Sequence, residues 1–224
     1  SDLFKKLLKP GMVVLDVGAY IGYYTLLTAK IVGDKGKVFA FEPDPNNYAL
    51  LLKNIQVNNY QNVVAVNKAV SKQAGQGRLF LSSENRGDHR IYNSKDNRPA
   101  IEIELISLDE FFIYDTVSKN QEHPMVTPSR RIDLIKMDIQ GAEMAALLGM
   151  NKILERNLNL KMIIEFWPFG LEKFGYSAAE FLNHIQQLGF RFQLIKDEGL
   201  EAIEKDALLK LYEKQEFVNL YLEK

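Results

Sequence analysis

The stretch VVLDVGAYIGYYTLLTAK, residues 13–30, joins an apolar run to a glycine-bearing turn and then to a helical pattern. The run Met12–Val17 is nearly continuous in apolar residues over the length of one strand, which is typical of a parallel strand covered on both faces. Gly18 and Gly22 favour a tight turn, because glycine lets the backbone bend sharply and approach a ligand closely. A helix is predicted to follow from about Tyr23 to Val32, and its unpaired N–H groups would face the same edge of the sheet.

Strands and helices alternate along the rest of the chain in the same way. The second and third strands are predicted at Lys37–Phe41 and Asn62–Asn67, with a helix between them over Asn47–Val57. Two further strands, Gly77–Leu81 and Ile101–Leu105, enclose a long polar stretch and predict an inserted β-hairpin or loop. The remaining predictions are helices at Asp2–Leu8, Ser107–Phe111, Gly141–Leu148, Ala178–Leu188 and Asp206–Tyr212, strands at Asp133–Met137, Lys161–Ile164, Phe190–Ile195 and Phe217–Leu222, and a polar loop at Tyr114–Ser129. This order predicts an α/β fold with a doubly wound, mostly parallel sheet, in a single domain over residues 1–224.

The composition narrows the possible classes of function. The chain has 28 basic and 29 acidic residues and a net charge of -1, so no general electrostatic attraction to nucleic acid is expected. It has no cysteine, which excludes thiol nucleophiles, disulfides and cysteine-ligated metals. No apolar run is long enough to span a membrane, and the N-terminal stretch does not resemble a secretory signal. We therefore expect a soluble, cytoplasmic protein with neither a membrane nor a nucleic acid as partner.

Two carboxylates fall at the ends of the first two predicted strands. Asp16 ends the first strand, and Glu42 ends the second, where a carboxylate can accept hydrogen bonds from two ribose hydroxyls. This arrangement favours nucleoside binding, and its alternative is an ordinary tight strand-to-helix turn without a ligand. A nicotinamide dinucleotide site is disfavoured, because its G-x-G-x-x-G pattern would need glycines at Tyr20 and Tyr23.

Several motifs together resemble those of the FkbM family of class I methyltransferases. The match runs in order through most of the chain, with Tyr20 and Gln140 standing where the family usually has Asn and Glu. The matching segments are DVGAYIGYYT (16–25), FEPDP (41–45), NKAVS (67–71), SLDE (107–110), IKMDIQGAE (135–143) and IE (164–165). The resemblance implies a Rossmann-like methyltransferase fold with a seven-stranded, mostly parallel sheet and an antiparallel C-terminal strand. It also implies S-adenosyl-L-methionine as cofactor and O-methylation of a hydroxyl on a sugar, a glycan or a secondary metabolite, so that the partner is a small-molecule or glycan acceptor.

The same resemblance implies which residues contact the cofactor. Asp16 and Gly18 would lie beside its amino-acid and sulfonium end, Glu42 would hold the ribose, and residues 67–69 would lie near the adenine. The complete set implied for cofactor binding is Asp16, Gly18, Tyr20, Gly22, Glu42, Pro43, Asn67, Ala69 and Asp138.

Three residues are candidates for the chemistry at the acceptor. Asp138 and Glu165 follow predicted strands at the binding edge, and His89 lies beside Asp88 in the long polar stretch, where it could act as a general base. Each has a simpler interpretation: a helix N-cap for Asp138, a buried hydrogen-bonded acid for Glu165 and an exposed loop residue for His89. No compact set of metal ligands is visible, so no metal is expected. The competing functions are a nicotinamide-dependent oxidoreductase and a non-catalytic nucleoside-binding module on the same fold.

Overall fold

The structure, a computed structural model, describes residues 2–93, 95, 97–114, 131–211 and 217–224. The strands are β1 (Val13–Val17), β2 (Lys37–Phe41), β3 (Val63–Val66), β4 (Ala69–Val70), β5 (Gly75–Phe80), β6 (Ala100–Ile106), β7 (Leu134–Met137), β8 (Lys161–Phe166), β9 (Arg191–Lys196), β10 (Gly199–Ala202) and β11 (Val218–Glu223). The helices are α1 (Asp2–Leu7), α2 (Tyr23–Val32), α3 (Pro45–Val57), α4 (Leu108–Tyr114), α5 (Glu143–Leu148), α6 (Asn151–Arg156), α7 (Pro168–Phe174), α8 (Ala178–Gln187) and α9 (Lys205–Leu211).

The main sheet has eight strands in the order β10-β9-β11-β8-β7-β1-β2-β3. Five adjacent strands are mutually parallel: β8, β7, β1, β2 and β3. Strand β11 runs antiparallel to both β8 and β9. This confirms the predicted doubly wound α/β fold with an antiparallel C-terminal strand. The strand beyond the expected seven is β10, which pairs antiparallel with β9 at the edge of the sheet.

The inserted hairpin forms a small sheet of its own. Strand β6 lies between β5, to which it is antiparallel, and the short β4, to which it is parallel. The prediction of an inserted hairpin is therefore confirmed. Its connecting loop extends beyond the hairpin toward the edge of the main sheet where the parallel strands end.

Both faces of the main sheet are covered, as the continuous apolar runs predict. On one face Val14 and Leu134 pack with Phe4 of α1 and with Ala29 and Val32 of α2. On the other face the sheet packs against residues of α5, α6 and α8, including Leu147, Leu154, Phe181 and Ile185. The strands β1, β2 and β7 are thereby fixed between two layers, and their carboxyl ends form one edge at which a site can be built.

Several elements differ from the prediction. Helices α6 and α7 and strands β4 and β10 were not predicted, because they are short and lack a long periodic pattern. Pro168 is the first residue of α7, since proline fits the first helical position as well as it ends a strand. The predicted loop Tyr114–Ser129 overlaps the end of α4 at Tyr114, and its other residues lie outside the described part of the chain.

Within the described ranges, none of the helices combines the length and the apolar character that crossing a membrane requires.

Candidate functional site

A cavity of about 560 Å³ lies at the carboxyl ends of β1, β2 and β7. The lining includes residues from the three strand ends and from the insert: Val17, Gly18, Tyr20, Phe41, Glu42, Pro43, Lys68, Ala69, Val70, Leu79, Arg86, Gly87, His89, Ile91, Asp138, Ile139, Gln140 and Ala142. Seven of the residues named in the sequence analysis share this lining: Gly18, Tyr20, Glu42, Pro43, Ala69, His89 and Asp138.

The turn after β1 approaches β7 too closely for a side chain. Gly18 has φ of 82°, and a Cβ built there would lie 2.1 Å from the carbonyl oxygen of Asp138. Tyr20 has φ of 53°, an uncommon value for a residue with a side chain. Its backbone N–H donates a hydrogen bond of 2.8 Å to Glu42 Oε2, so the turn is tied to the end of β2.

Glu42 is a buried carboxylate at the wall of this cavity. Oε2 accepts from Tyr20, and Oε1 accepts from the backbone N–H of Asp44 at 3.0 Å. Burial raises the pKa of Glu42 to about 7, against the opposing effect of these backbone hydrogen bonds. Each carboxylate oxygen can accept more than one hydrogen bond, so Glu42 retains capacity for hydroxyl donors of a ligand.

Asp16 lies next to the cavity but does not line it. It is 1% exposed, its Oδ2 accepts a 2.6 Å hydrogen bond from the Thr25 hydroxyl, and its Oδ1 lies 3.6 Å from Lys136 Nζ. Lys136 also donates to the carbonyl oxygen of Gly18 at 3.1 Å and lies 3.9 Å from Asp138 Oδ2. Asp16 is therefore placed to fix the turn through Lys136.

Lys136 is a member of the site that the sequence analysis missed. Burial disfavours its charge, but the carboxylates of Asp16 and Asp138 outweigh burial and raise its pKa above the ordinary value. The signal was present in the sequence, because a lysine inside the apolar run of β7 needs a buried partner. The parallel register pairs Lys136 with Asp16 directly.

Asp138, Gln140 and Glu165 form a connected polar group after β7 and at the end of β8. Gln140, with φ of 56°, donates through Nε2 to Asp138 Oδ1 at 2.9 Å and to Glu165 Oε2 at 3.2 Å. Burial, followed by the charges of Asp138 and Glu143, raises the pKa of Glu165 to about 8. The side chain of Asp138 is 43% exposed, so it is the accessible carboxylate of this group.

Glu143, at the start of α5, is fully buried behind this group. Its Oε1 accepts the backbone N–H of Ile139 at 3.0 Å, whereas its Oε2 has no hydrogen-bond partner within the described structure. Burial raises the pKa of Glu143 to about 7.

A second cavity of about 550 Å³ adjoins the first at Asp138. Its lining combines apolar side chains with a few polar ones: Leu3, Phe4, Tyr24, Lys136, Met137, Asp138, Ile163, Ile195 and Asn219. Asp138 is therefore common to the linings of the two cavities.

Two predicted cofactor residues support the cavity without lining it. The Asn67 side-chain amide donates to the carbonyl oxygens of Glu42 and Pro43, at 2.8 and 3.1 Å. Gly22 begins α2 where a Cβ would lie 2.7 Å from the Leu51 side chain. Both residues therefore hold the loops after β1 and β2 in place.

His89 lies on the side of the cavity formed by β2. Its Nδ1 accepts the backbone N–H of Ser82 at 3.0 Å, and its Nε2 lies 3.9 Å from Asp44 Oδ2. Asp138 follows β7, which lies two strands away from β2 in the sheet, a spacing of roughly 10 Å. His89 and Asp138 thus line different parts of one cavity. Among the residues that the structure describes, no three acidic or histidine side chains are grouped so as to hold a metal ion.

The chain is similar to known methyltransferases. The family model of the methyltransferase FkbM domain matches residues 16–192. Among curated proteins, Protein-L-isoaspartate O-methyltransferase 1 of Arabidopsis thaliana is 46% identical over 55 residues, covering 25% of this chain and 24% of that protein. Methyltransferase sdnD of Sordaria araneosa is 25% identical over 184 residues, covering 70% of this chain and 68% of that protein.

Among solved structures, methyltransferase FkbM from Methylobacillus flagellatus KT superposes with a TM-score of 0.55 at 14% identity. The alignment covers 99% of this chain and 50% of that chain, so the present chain spans half the length of that structure and about a quarter of the Arabidopsis relative. At this identity the superposition supports the fold. Because the family model covers most of the chain, from β1 to β9, the protein belongs to the FkbM family of methyltransferases.

Proposed function

We propose that this chain transfers the methyl group of S-adenosyl-L-methionine to a hydroxyl of a sugar, a glycan or a secondary metabolite. The observation that carries the proposal is that two cavities share Asp138 in their linings. The first cavity has the glycine turn and the buried carboxylate that suit a nucleoside, and we assign the second to the acceptor.

The first cavity fits the cofactor on two points. The Gly18 turn has no side chain where the backbone must approach the ligand. Glu42 is buried at the end of β2 with capacity to accept ribose hydroxyls. We assign the ribose to Glu42, and the amino-acid and sulfonium end to the side of Gly18 and Asp138.

The bound cofactor supplies an activated methyl group and its own leaving group, so the protein has to position the acceptor and remove its hydroxyl proton. Asp138 is the accessible carboxylate at the junction of the cavities and is assigned as the acceptor of that proton. Gln140 orients Asp138 through the 2.9 Å hydrogen bond to Oδ1. Glu165, with its raised pKa, lies behind Gln140 as a second carboxyl group in the same network.

The second cavity favours an acceptor with one apolar face and one hydroxylated face. Phe4, Ile163 and Ile195 supply apolar contacts, whereas Asn219 and Asp138 supply polar ones. Among the described residues of its lining the cation is Lys136, which is paired with Asp16. A neutral hydroxylated acceptor therefore suits this cavity better than a phosphorylated one.

The proposal is tested by calorimetric titration with S-adenosylhomocysteine and with NADH, followed by methylation assays with labelled cofactor on a panel of hydroxylated acceptors. We expect binding of S-adenosylhomocysteine alone, and acceptor-dependent label transfer. In Asp138→Asn transfer should fall at least a hundredfold, since general-base catalysis contributes about 10²–10⁴-fold. Binding of S-adenosylhomocysteine should fall far less than transfer, because asparagine keeps the size of the side chain and one acceptor oxygen. The matched control Asp206→Asn changes an exposed carboxylate at the start of α9 and should leave both unchanged.

Two outcomes would contradict the proposal. Binding of NADH without S-adenosylhomocysteine would favour a nicotinamide-dependent oxidoreductase. Binding of S-adenosylhomocysteine without transfer to any acceptor in the panel would favour a non-catalytic nucleoside-binding module.

A further inference from the structure

The described residues of the loop between β5 and β6, which are 81–93, 95 and 97–99, make several contacts with one another and with β5. The bidentate pair of Arg90 with Asp88 has distances of 2.9 and 3.0 Å, and Arg98 bonds the same carboxylate at 2.7 Å. Phe80 and Arg90 exchange two backbone hydrogen bonds of 2.7 and 3.1 Å. The β5–β6 loop is therefore preorganised rather than an open connection.

The same loop reaches across to the start of α3, beside the ribose carboxylate. The Asn47 side-chain amide donates to the carbonyl oxygen of Arg86 at 3.2 Å. Asp44 caps α3 by accepting the Asn47 backbone N–H at 2.7 Å, and its other oxygen faces His89 at 3.9 Å. Because Asp44 also donates its backbone N–H to Glu42, these contacts connect the loop to the group assigned to the ribose.

The imidazole of His89 is hydrogen-bonded through Nδ1, and its Nε2 lies 3.9 Å from Asp44 Oδ2, beyond hydrogen-bond distance. Since Nδ1 accepts a hydrogen bond from the backbone of Ser82, the neutral ring carries its proton on Nε2, which faces Asp44. The side chain is 10% exposed, and its residue lines the first cavity. A ring fixed in this way is suited to present a surface to a ligand, and poorly suited to take a proton from an acceptor beside Asp138.

The insert also supplies apolar surface to the first cavity. Leu79 of β5 and Ile91 of the loop line it together with Val70 and Ala142. A purine has two apolar faces, and such a wall suits it.

From these contacts we infer that the β5–β6 loop forms the wall of the nucleoside pocket, and that His89 is a positioning residue for the nucleoside half of the cofactor. The inference rests on the proposed use of the first cavity for S-adenosyl-L-methionine. It replaces the general-base role predicted for His89 with a role in binding.

The experiment compares two ligands by calorimetry. S-adenosylhomocysteine carries the nucleoside and the amino acid, whereas 5′-deoxy-5′-methylthioadenosine carries the nucleoside alone. We expect His89→Ala to weaken the binding of both ligands by the same factor, about tenfold, because the lost contact belongs to the part they share. His184→Ala, at a histidine of α8 outside the lining of both cavities, is the matched control and should leave both affinities unchanged.

Two further variants keep the test decisive. Asn47→Ala removes the hydrogen bond to Arg86 and an interaction with Glu42, and it should weaken the binding of both ligands, though less than His89→Ala. If His89→Ala does not fold, His89→Gln keeps an acceptor for Ser82 but lacks the ring, and the same loss is expected. Unchanged affinities with a selective loss of methyl transfer would overturn the inference and restore the general base. Failure of the unmodified protein to bind S-adenosylhomocysteine would instead refute the proposed function.

Discussion

Gly18 and Gly11 adopt almost the same left-handed backbone conformation, with φ of 82° and 81°, in different surroundings. A Cβ on Gly11 would meet nothing within 4 Å, whereas one on Gly18 would meet the Asp138 carbonyl oxygen at 2.1 Å. Gly11→Ala should therefore cost only the conformational strain, about 1–2 kcal/mol of unfolding free energy. Gly18→Ala should lower the free energy of unfolding by more than this amount, because the turn and Asp138 must move apart. It should also weaken the binding of S-adenosylhomocysteine.

Urea unfolding and calorimetry of the two variants separate these effects. Gly11→Ala serves as the control for strain, since it should retain the affinity of the unmodified protein. Equal losses of stability in both variants, with equal affinities, would show that the close approach of Gly18 to Asp138 has no role in the site.

At the level of single residues, strand ends could be predicted from the sequence and side-chain contacts could not. Asp16 and Glu42 both follow continuous apolar runs, so their place at the binding edge was predictable. Whether each carboxylate lines the cavity depends on the side chains that pair with it from distant parts of the sequence. Lys136 draws Asp16 into a buried ion pair, while Glu42 remains in the cavity wall. His89 lines the first cavity, but its contacts with Ser82 and Asp44 depend on the fold of its loop, which periodicity does not predict.

Helix α8 begins with a capping box, in which two residues satisfy each other's backbone N–H groups. Ser177 Oγ accepts the backbone N–H of Glu180 at 3.1 Å, and Glu180 Oε2 accepts the backbone N–H of Ser177 at 2.8 Å. Ser177→Ala should lower the free energy of unfolding by about 1 kcal/mol. The affinity for S-adenosylhomocysteine should not change, because neither residue lines the first cavity.

Ser177→Thr retains the hydroxyl acceptor and is the matched control, so its stability should stay close to that of the unmodified protein. Chemical denaturation of the three proteins measures the effect. If the alanine variant were as stable as the threonine variant, the capping hydrogen bonds would contribute nothing to α8.

Secondary elements were predicted where the apolar pattern is long. Helix α8 has four buried residues at helical spacing, among them Phe181 and Ile185, and its predicted and observed ranges nearly coincide. Strand β10 has four exposed residues and is held by pairing with β9, so no apolar run indicated it. The sequence therefore predicted the elements whose buried residues form a long pattern. It did not predict β10, which pairs with β9, or α7, which begins at a proline.

At the scale of the whole molecule, several buried carboxyl groups at the edge of the sheet where the parallel strands end lower the stability of the folded state. Burial raises the pKa values of Glu42 and Glu143 to about 7 and that of Glu165 to about 8. Carboxyl groups kept partly protonated near neutral pH are characteristic of sites whose environment serves function. Their ionisation at higher pH destabilises the folded state, because the unfolded chain ionises them more easily.

The raised pKa of Glu143 determines the direction in which stability changes with pH. The pKa of Glu143 is about 7 in the folded protein, whereas the ordinary value of 4.5 applies to the unfolded chain. Between pH 4.5 and 7 the folded state therefore holds a proton that the unfolded state has lost. The free energy of unfolding therefore falls as the pH rises from about 4.5 to 7, by on the order of 3 kcal/mol from this residue. Glu143→Gln stays neutral and can still accept the Ile139 N–H through its amide oxygen.

Urea unfolding at pH values on both sides of this range provides the test. Relative to the unmodified protein, Glu143→Gln should gain stability progressively up to about pH 7 and then keep a constant advantage. Glu198→Gln, which removes an exposed carboxyl group beside β10, should give a curve of unchanged shape. A Glu143→Gln curve parallel to that of the unmodified protein would mean that Glu143 is ionised in the folded state throughout, with a charged partner compensating its burial.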